Sequence, residues 1–333
     1  MTTHFIEIHS KGELDSLGST RGVDRLNSEN LVHDAPDAHW LMLSAPGVIL
    51  ARCSLWWKRT PPYPDQRLGL VGHYAATDAE SASTLLRHAC AQLASKGCTM
   101  AVGPMDGNTW RRYRFVTERG TEPPFFLEPD NPDDWPLHFV AEGFAPLATY
   151  ISALNSDLSR VDPRLPDIAE NVAGKGITIR SATAGKMEGE LRRIYALSLQ
   201  SFQKNFLYTP LDEAEFLAQY QKILPHVREE LVLLAECNGQ PVGFLFAIHD
   251  LLRPKRGEPN DTIIIKTVAV VPECASVGLG TLLVARAQET ARGLGSKRVI
   301  HALMHESNRS RNISERSATI MRRYTLFSRH LSQ

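Results

Sequence analysis

Apolar residues along this chain gather in short strand-length runs, broken by two stretches where they recur every three to four positions. In the first half, Trp40–Leu43 and Val48–Trp56 predict a strand pair turning at Pro46-Gly47, and Leu68–Ala75 predicts the next strand. Leu85, Leu86, Ala89 and Leu93 fall on one face of a helix over Ala79–Leu93. A short strand over Cys98–Val102, a helix over Asp133–Glu142 closed by Gly143, and a strand over Phe144–Leu154 follow. The second half repeats this order. Leu231–Cys237 and Pro241–His249 flank the turn Asn238-Gly239-Gln240, as in a hairpin, and Ile263–Val270 is a β-branched run suited to a buried strand. Leu282, Leu283, Ala287 and Ala291 then share a helix face, and Arg298–Met304 returns to strand. Two copies of one pattern imply an internal duplication. The expected fold class is α/β (α+β, mixed sheet), in two units over residues 1–158 and 177–333. Arg160–Gly176, with two prolines and two glycines, reads as the linker.

Bulk properties narrow the function without fixing it. A length of 333 residues fits about two domains. Lys+Arg and Asp+Glu both number 37, so no net field draws the chain to nucleic acid. The start, MTTHFIEIHSKGELD, lacks the apolar core of a secretory signal, and no apolar run approaches the ~18 residues of a membrane span. Five scattered cysteines with no CxxC are expected to be reduced thiols, and the cytoplasm is the expected compartment. Twelve histidines show no metal-ligand spacing, so no metal is expected.

The chemistry concentrates where Ile263–Val270 runs through Pro272 and a small-residue loop into the helix after Gly278. The first N–H groups of such a helix lack intrahelical acceptors and, with the dipole behind them, favour a phosphate. Two well-known glycine loops do not fit. GxGxxG fails because Leu283 stands at its third glycine, and a P-loop fails because no lysine follows Gly280. What remains is V-x-P, then G-x-G, then paired leucines: Val270, Pro272, Gly278, Gly280, Leu282 and Leu283.

This pattern resembles the acyl-CoA loop of the GNAT superfamily of N-acyltransferases, in a tandem form with a degenerate N-terminal half. The resemblance covers roughly residues 177–331. It departs from the family at Ala275, where Gln or Arg is usual, and at Ser276-Val277, where glycines are usual. It implies that an acyl thioester lies in a splay between two central strands. Backbone N–H groups of Val268, Ala269 and Val270 would polarise its carbonyl. Ser276, Val277, Gly278, Leu279, Gly280 and Thr281 would cradle the diphosphate, with Asn308 opening the next helical segment beside the donor. The tyrosine that many members use to protonate the leaving thiolate is missing: Glu315, beside Ser314, occupies that spacing, and the next tyrosine is Tyr324. The base is unassigned among His249, His305, Glu306 and Tyr208, each of which also reads as a plain strand-end or loop residue. Phe202, Phe206 and Tyr208 would line an acceptor pocket or serve as core contacts.

In the first copy the loop is replaced by Thr77–Ser83 (TDAESAS), which lacks glycine and carries Asp78 and Glu80. Asp78 is well placed to cap the helix. That half is expected to be a scaffold or acceptor-site wall. Its segment Gly103–Phe126 mixes Trp110, Tyr113 and Phe115 with Arg111, Arg112 and Arg114. It reads as an ordered surface loop, as a single-strand nucleic-acid site, or as a wall for a carboxylate-bearing or planar acceptor. The expected reaction is acyl transfer, most simply acetyl from acetyl-CoA or another acyl-CoA, to a small-molecule amine, with neither nucleic acid nor membrane as partner. One alternative keeps the fold but takes the acyl group from an acyl carrier protein, docked on a basic rim of Arg253, Lys255 and Arg256 or of Arg309 and Arg311. The other is a ligand-sensing or scaffold protein without turnover.

Overall fold

The computed structural model describes residues 3–18, 20–45, 47–183, 185–308, 313–314 and 316–332. The first half contains β1 (His4–Ile8), α1 (Lys11–Ser16), β2 (Arg21–Gly22), α2 (Ser28–Asp34), β3 (Ala38–Ala45), β4 (Val48–Trp56), β5 (Leu68–Ala76), α3 (Ala79–Ser95), β6 (Met100–Gly103), β7 (Phe115–Glu118), α4 (Trp135–Ala141) and β8 (Ala145–Asn155). The second contains α5 (Leu165–Gly174), β9 (Ile177–Ser181), α6 (Met187–Ser201), α7 (Glu213–Gln221), β10 (Val232–Cys237), β11 (Gln240–His249), α8 (Leu252–Lys255), β12 (Thr262–Val270), α9 (Leu279–Gly293), β13 (Arg298–His305) and β14 (Thr319–His330).

All these strands join one mixed sheet in the order β1-β3-β4-β5-β6-β14-β8-β13-β12-β11-β10-β9, with β2 beside β4 and β7 beside β14. Read inward from either edge, each half contributes a hairpin-linked antiparallel set and then one parallel pair, β5–β6 or β12–β13. The two strands at the centre have changed sides. β8 leaves the first half to pair with β13, and β14 leaves the second to pair with β6, while the two pair with each other from Thr319↔Leu154 to Ser328↔Ala145. The sheet therefore runs unbroken across the boundary expected between residues 158 and 177.

The cores follow the predicted apolar faces. Leu85, Leu86, Ala89 and Leu93 of α3 are buried against β4 and β5, and Leu282, Leu283, Ala287 and Ala291 of α9 are buried under β11 and β12. Asp78 accepts a hydrogen bond from the Ser81 N–H at 2.8 Å and caps α3, so its carboxylate serves the helix terminus.

The linker expectation needs correction. Residues 165–174 form α5, with Pro166 in its first turn, where a missing N–H costs nothing. Leu165, Ile168 and Val172 make a helical stripe that packs with α9 residues in one core. Counting prolines and glycines obscured that stripe. The first turn proposed for the chain includes Pro46, which lies outside the described residues.

Candidate active site

β12 and β13 pair in parallel from Thr262↔Arg298 to Ile265↔His301 and no further. The pairing stops at a β-bulge. Ala247 of β11 faces Ile265 and Phe246 faces Thr267, which leaves Lys266 as the extra residue and bends the strand. Past this point Val268, Ala269 and Val270 stay registered with Leu245, Phe244 and Gly243 of β11. Met304 and His305 of β13 keep only their β8 partners, Ile151 and Tyr150, on the opposite edge, where Val299–His301 also pair with β8. The strands thus splay around a cleft of about 150 Å³ lined by Val268, His301, Leu303, Asn308 and Ile313, among others. Val268, which lines the cleft, and Ala269 and Val270 after it have no β13 partner, which leaves polar backbone on that edge available to a ligand.

The loop after β12 ends in front of α9. Gly278 is the N-cap residue with φ of 86°, a left-handed conformation natural to glycine. A Cβ on it would lie 2.8 Å from Ile168 Cγ2, so α5 packs closely against the loop. Asn171 of α5 donates to the Val277 carbonyl at 3.2 Å. Leu279, Gly280 and Thr281 form the first turn of α9, where amides have no intrahelical acceptor, while Ser276 is exposed and Val277 half-buried.

The corresponding opening in the first half is filled by its own chain. Beyond Leu70↔Val102 the strands β5 and β6 cease to pair, and the Met105 N–H donates to the Val71 carbonyl at 2.9 Å. Asp106 accepts from the His73 N–H at 2.6 Å, and a Cβ on Gly72 would meet the Met105 carbonyl oxygen at 2.3 Å. No room is left there for a thioester. Ser54, His73 and Asp34 form a buried chain nearby (Ser54 Oγ to His73 Nδ1 2.9 Å, His73 Nε2 to Asp34 Oδ2 2.8 Å), with Ser54 wholly buried beside His39. That inaccessible serine makes the chain a packing element. It joins residues far apart in sequence and carries no sequence signal.

A larger cavity of about 1100 Å³ opens between the halves. It shares Phe202, Lys266, Thr267, Leu303 and Asn308 with the cleft, so the two adjoin at the splay. The opposite wall comes from the first half: Thr109–Arg114, Leu127–Asp130 and Tyr150. Residues 109–114 of the unusual Gly103–Phe126 segment are therefore part of the wall of this cavity. Trp110 donates to the Thr209 carbonyl at 2.9 Å and packs edge-on to Phe202 and Phe216. Arg111 bridges Asp34 at 3.1 Å and Glu215 at 2.7 Å.

The candidate residues separate clearly. Phe202, Phe206, Tyr208, His305 and Asn308 all line the cavity. The buried Tyr208 hydroxyl has no hydrogen-bond partner among the described residues, and burial raises its pKa. His305 packs edge-on to Tyr150 at 4.9 Å, and its Nδ1 accepts from the Ser307 N–H at 3.1 Å. An Nδ1 held as acceptor leaves the proton of the neutral ring on Nε2, so this imidazole offers a donor to the cavity. Burial lowers its pKa, with Arg114 adding to the effect. Glu306 turns aside to pair with Arg323 at 2.5 Å. His249 lies opposite Ile263, toward the start of β12, and lines neither cavity nor cleft; strand direction alone keeps it from the splay. Tyr324 is fully buried, bonded to Ser152 at 2.9 Å and to Glu128, and so is not presented to a leaving thiolate. Arg253 pairs with Glu258 and Asp261, and Arg256 with Glu258. Glu315, Arg309 and Arg311 lie outside the described residues.

Lys266 is the functional candidate that sequence reasoning missed. It sits on the bulge, in the wall common to cleft and cavity, and its ammonium donates to the Leu127 carbonyl at 3.2 Å. Burial first, then Arg114, pull its pKa down to about 7. A lysine inside a β-branched run was the available signal. Its neighbour in the cleft, His301, is driven by burial to about 4 and is held by Ser314 and Gln288. Among the described residues no group of three or more His, Cys, Asp and Glu side chains could hold a metal ion, and no helix is long and apolar enough to cross a membrane.

The splayed β12–β13 pair and the loop-to-helix turn at its open end are the arrangement expected of a GNAT-like fold, and the comparisons bear on that fold. Residues 191–316 match the Acetyltransferase (GNAT) family. The curated proteins contain no match. Among solved structures, a GCN5-related N-acetyltransferase from Sphaerobacter thermophilus shares 14% identity and a TM-score of 0.51, covering 99% of this chain and 96% of its own. A tandem GNAT protein from the clavulanic acid biosynthesis pathway shares 12% identity and a TM-score of 0.52, covering 100% and 99%. A GCN5-related glucosamine N-acetyltransferase region of a fungal multi-domain GH3 β-N-acetylglucosaminidase shares 14% identity and a TM-score of 0.57 over 98% of this chain, which spans only 38% of that longer one. The whole chain thus has the fold of tandem GNAT proteins.

Proposed function

We propose that this chain is an N-acyltransferase, moving an acyl group, most simply acetyl, from a CoA thioester to the amine of a small molecule. The observation that carries the reading is that the open β12–β13 cleft and the large cavity share a wall at the splay, so that a thioester in one would lie beside an acceptor in the other. Residues 177–333 would bind the donor, and residues 1–158, with their own cleft closed, would supply the acceptor wall. The loop amides of residues 276–281 would face the diphosphate. Amides of Val268–Val270 would face the thioester oxygen, where a fixed donor is worth most as negative charge develops. The amine attacks the carbonyl carbon, the C–S bond breaks, and the amine's proton passes to Lys266. That side chain reaches the splay with a pKa near 7, suited to a general base. The CoA thiolate, with an ordinary thiol pKa of about 8.5, leaves without an enzymic acid. The donor imidazole of His305 and the Tyr208 hydroxyl would orient the acceptor.

Thermal shift with acetyl-CoA, phosphopantetheine and NAD tests the donor assignment, followed by thiol-detected CoA release with pooled amines. A ligand at 100 times its Kd adds about 2.7 kcal/mol to the native state. The reading expects a clear rise with acetyl-CoA and none with NAD. A response to phosphopantetheine equal to that with acetyl-CoA would point to a carrier-protein donor, and no response would favour a protein without turnover.

A further inference from the structure

The large cavity is unevenly charged. Among the described residues, six Lys and Arg side chains line it (Arg111, Arg112, Arg114, Lys204, Lys222, Lys266) against two carboxylates, Glu128 and Asp130. Both carboxylates are committed. Glu128 pairs with the buried Arg322 at 2.6 Å and also takes the Tyr324 hydroxyl and the Phe125 N–H. Asp130 pairs with Arg119 at 2.7 Å. Arg111 is matched by Asp34 and Glu215.

Arg114 is different. It is 94% buried by its 6% exposure, and no carboxylate among the described residues forms an ion pair with it. Its guanidinium is held over the rings of Tyr113 at 4.0 Å and Tyr150 at 4.2 Å, with Nη1 donating to the Tyr113 hydroxyl at 2.8 Å. The Nε–H has no partner among the described residues. A buried charge is costly unless paired, and a guanidinium fixed between rings presents a planar fork suited to a carboxylate. The backbone agrees: Arg114 (φ 68°), Leu127 (φ 66°) and Leu303 (φ 60°) line this cavity in left-handed conformations. Such strain in non-glycine residues gathers at functional sites.

We infer that Arg114 is the anion subsite of this cavity and that the acceptor is an amine bearing a carboxylate, its acid end on Arg114 and its amine toward Lys266 and the splay. Identifying the ligand as acceptor rests on the acyltransferase reading; the anion subsite does not. The aromatic wall of Trp110, Tyr150, Phe202, Phe206 and Tyr208 would take an apolar or aromatic body between the two ends.

The test uses probes without an amine, so that binding is read apart from turnover. 3-Phenylpropionate and its carboxamide are titrated calorimetrically into the full chain, with acetyl-CoA titrated in parallel. The carboxylate is expected to bind about tenfold tighter or more, as one charge-assisted pair provides. Arg114→Gln should bring the two probes within about twofold of each other, and Arg114→Lys should keep part of the preference. Equal affinities or no binding of either probe in the wild type, or a preference that survives in Arg114→Gln, would overturn the subsite. Should Arg114→Gln fail to fold, Arg114→Lys carries the assignment, because loss of the planar fork should still cut the preference, and an undiminished preference there would overturn the subsite. A carboxylate preference without acetyl-CoA binding would sink the acyltransferase reading alone.

Discussion

Gly278→Ala puts the donor loop to a quantitative test. The residue has φ of 86°, and a Cβ there would sit 2.8 Å from Ile168 Cγ2. Holding alanine in a left-handed conformation costs about 1–2 kcal/mol. The contact adds to this, because Ile168 is branched at Cβ and fixed on α5, so loop and helix must separate. Separation tilts the amides of Leu279 and Gly280 away from a diphosphate. Losing one hydrogen bond to a charged group costs about 1.5–3 kcal/mol, about ten- to a hundredfold in Kd. Acetyl-CoA affinity is measured by calorimetry and stability by thermal melting, for Gly278→Ala alone and combined with Ile168→Ala. The single variant should melt lower and bind acetyl-CoA at least about tenfold more weakly. The double variant, freed of the clash but not of the φ penalty, should regain part of the affinity. Wild-type affinity in Gly278→Ala would refute the assignment of this loop to the donor.

Three further outcomes follow from the same structure. Asp78→Ala should lower stability by about 1 kcal/mol in urea unfolding, the worth of an N-cap, and leave acetyl-CoA affinity unchanged; weaker donor binding would mean that the first half takes part in donor binding. Arg322→Met strands the buried Glu128 carboxylate and should cost about 3–5 kcal/mol, much of it regained in Arg322→Met/Glu128→Gln; equal loss in both would show that the pair matters through shape alone. His301 is held neutral by burial, its pKa moved from 6.5 to about 4. Between those values the unfolded chain takes up a proton that the folded one refuses, so stability should fall as pH drops through that window. His301→Gln should flatten that slope in urea midpoints read from pH 7 to 4, and an unchanged slope would place the acid sensitivity elsewhere.

Much of the fold was legible because its signals are local. The α3 and α9 faces, the β10–β11 hairpin and the β-branched run of β12 each lie within a few residues of sequence, and the order of elements disclosed the duplication. The exchange of β8 and β14 was not legible, since each strand looks the same whichever sheet it joins. α5 was hidden by Pro166, Gly174 and Gly176, which mark its ends and not its interior. At the site, the glycine loop before α9 and the cavity-lining aromatics Phe202, Phe206 and Tyr208 could be picked out from pattern. Lys266 could not, because its meaning depends on a bulge that only pairing with β11 creates. Arg114 stood out as one of several arginines in a loop, but its lack of a carboxylate partner is a property of three-dimensional packing. His249 shows the converse error: a histidine at a strand end is suggestive, yet this one sits at the end of β11 away from the splay.

The most direct test of the central claim is the stoichiometry of acetyl-CoA binding to the full chain by isothermal titration calorimetry. An open cleft in the second half and a filled one in the first predict one acetyl-CoA per chain, weakened by Gly278→Ala. Two sites per chain, or no binding heat at any temperature tried, would contradict it.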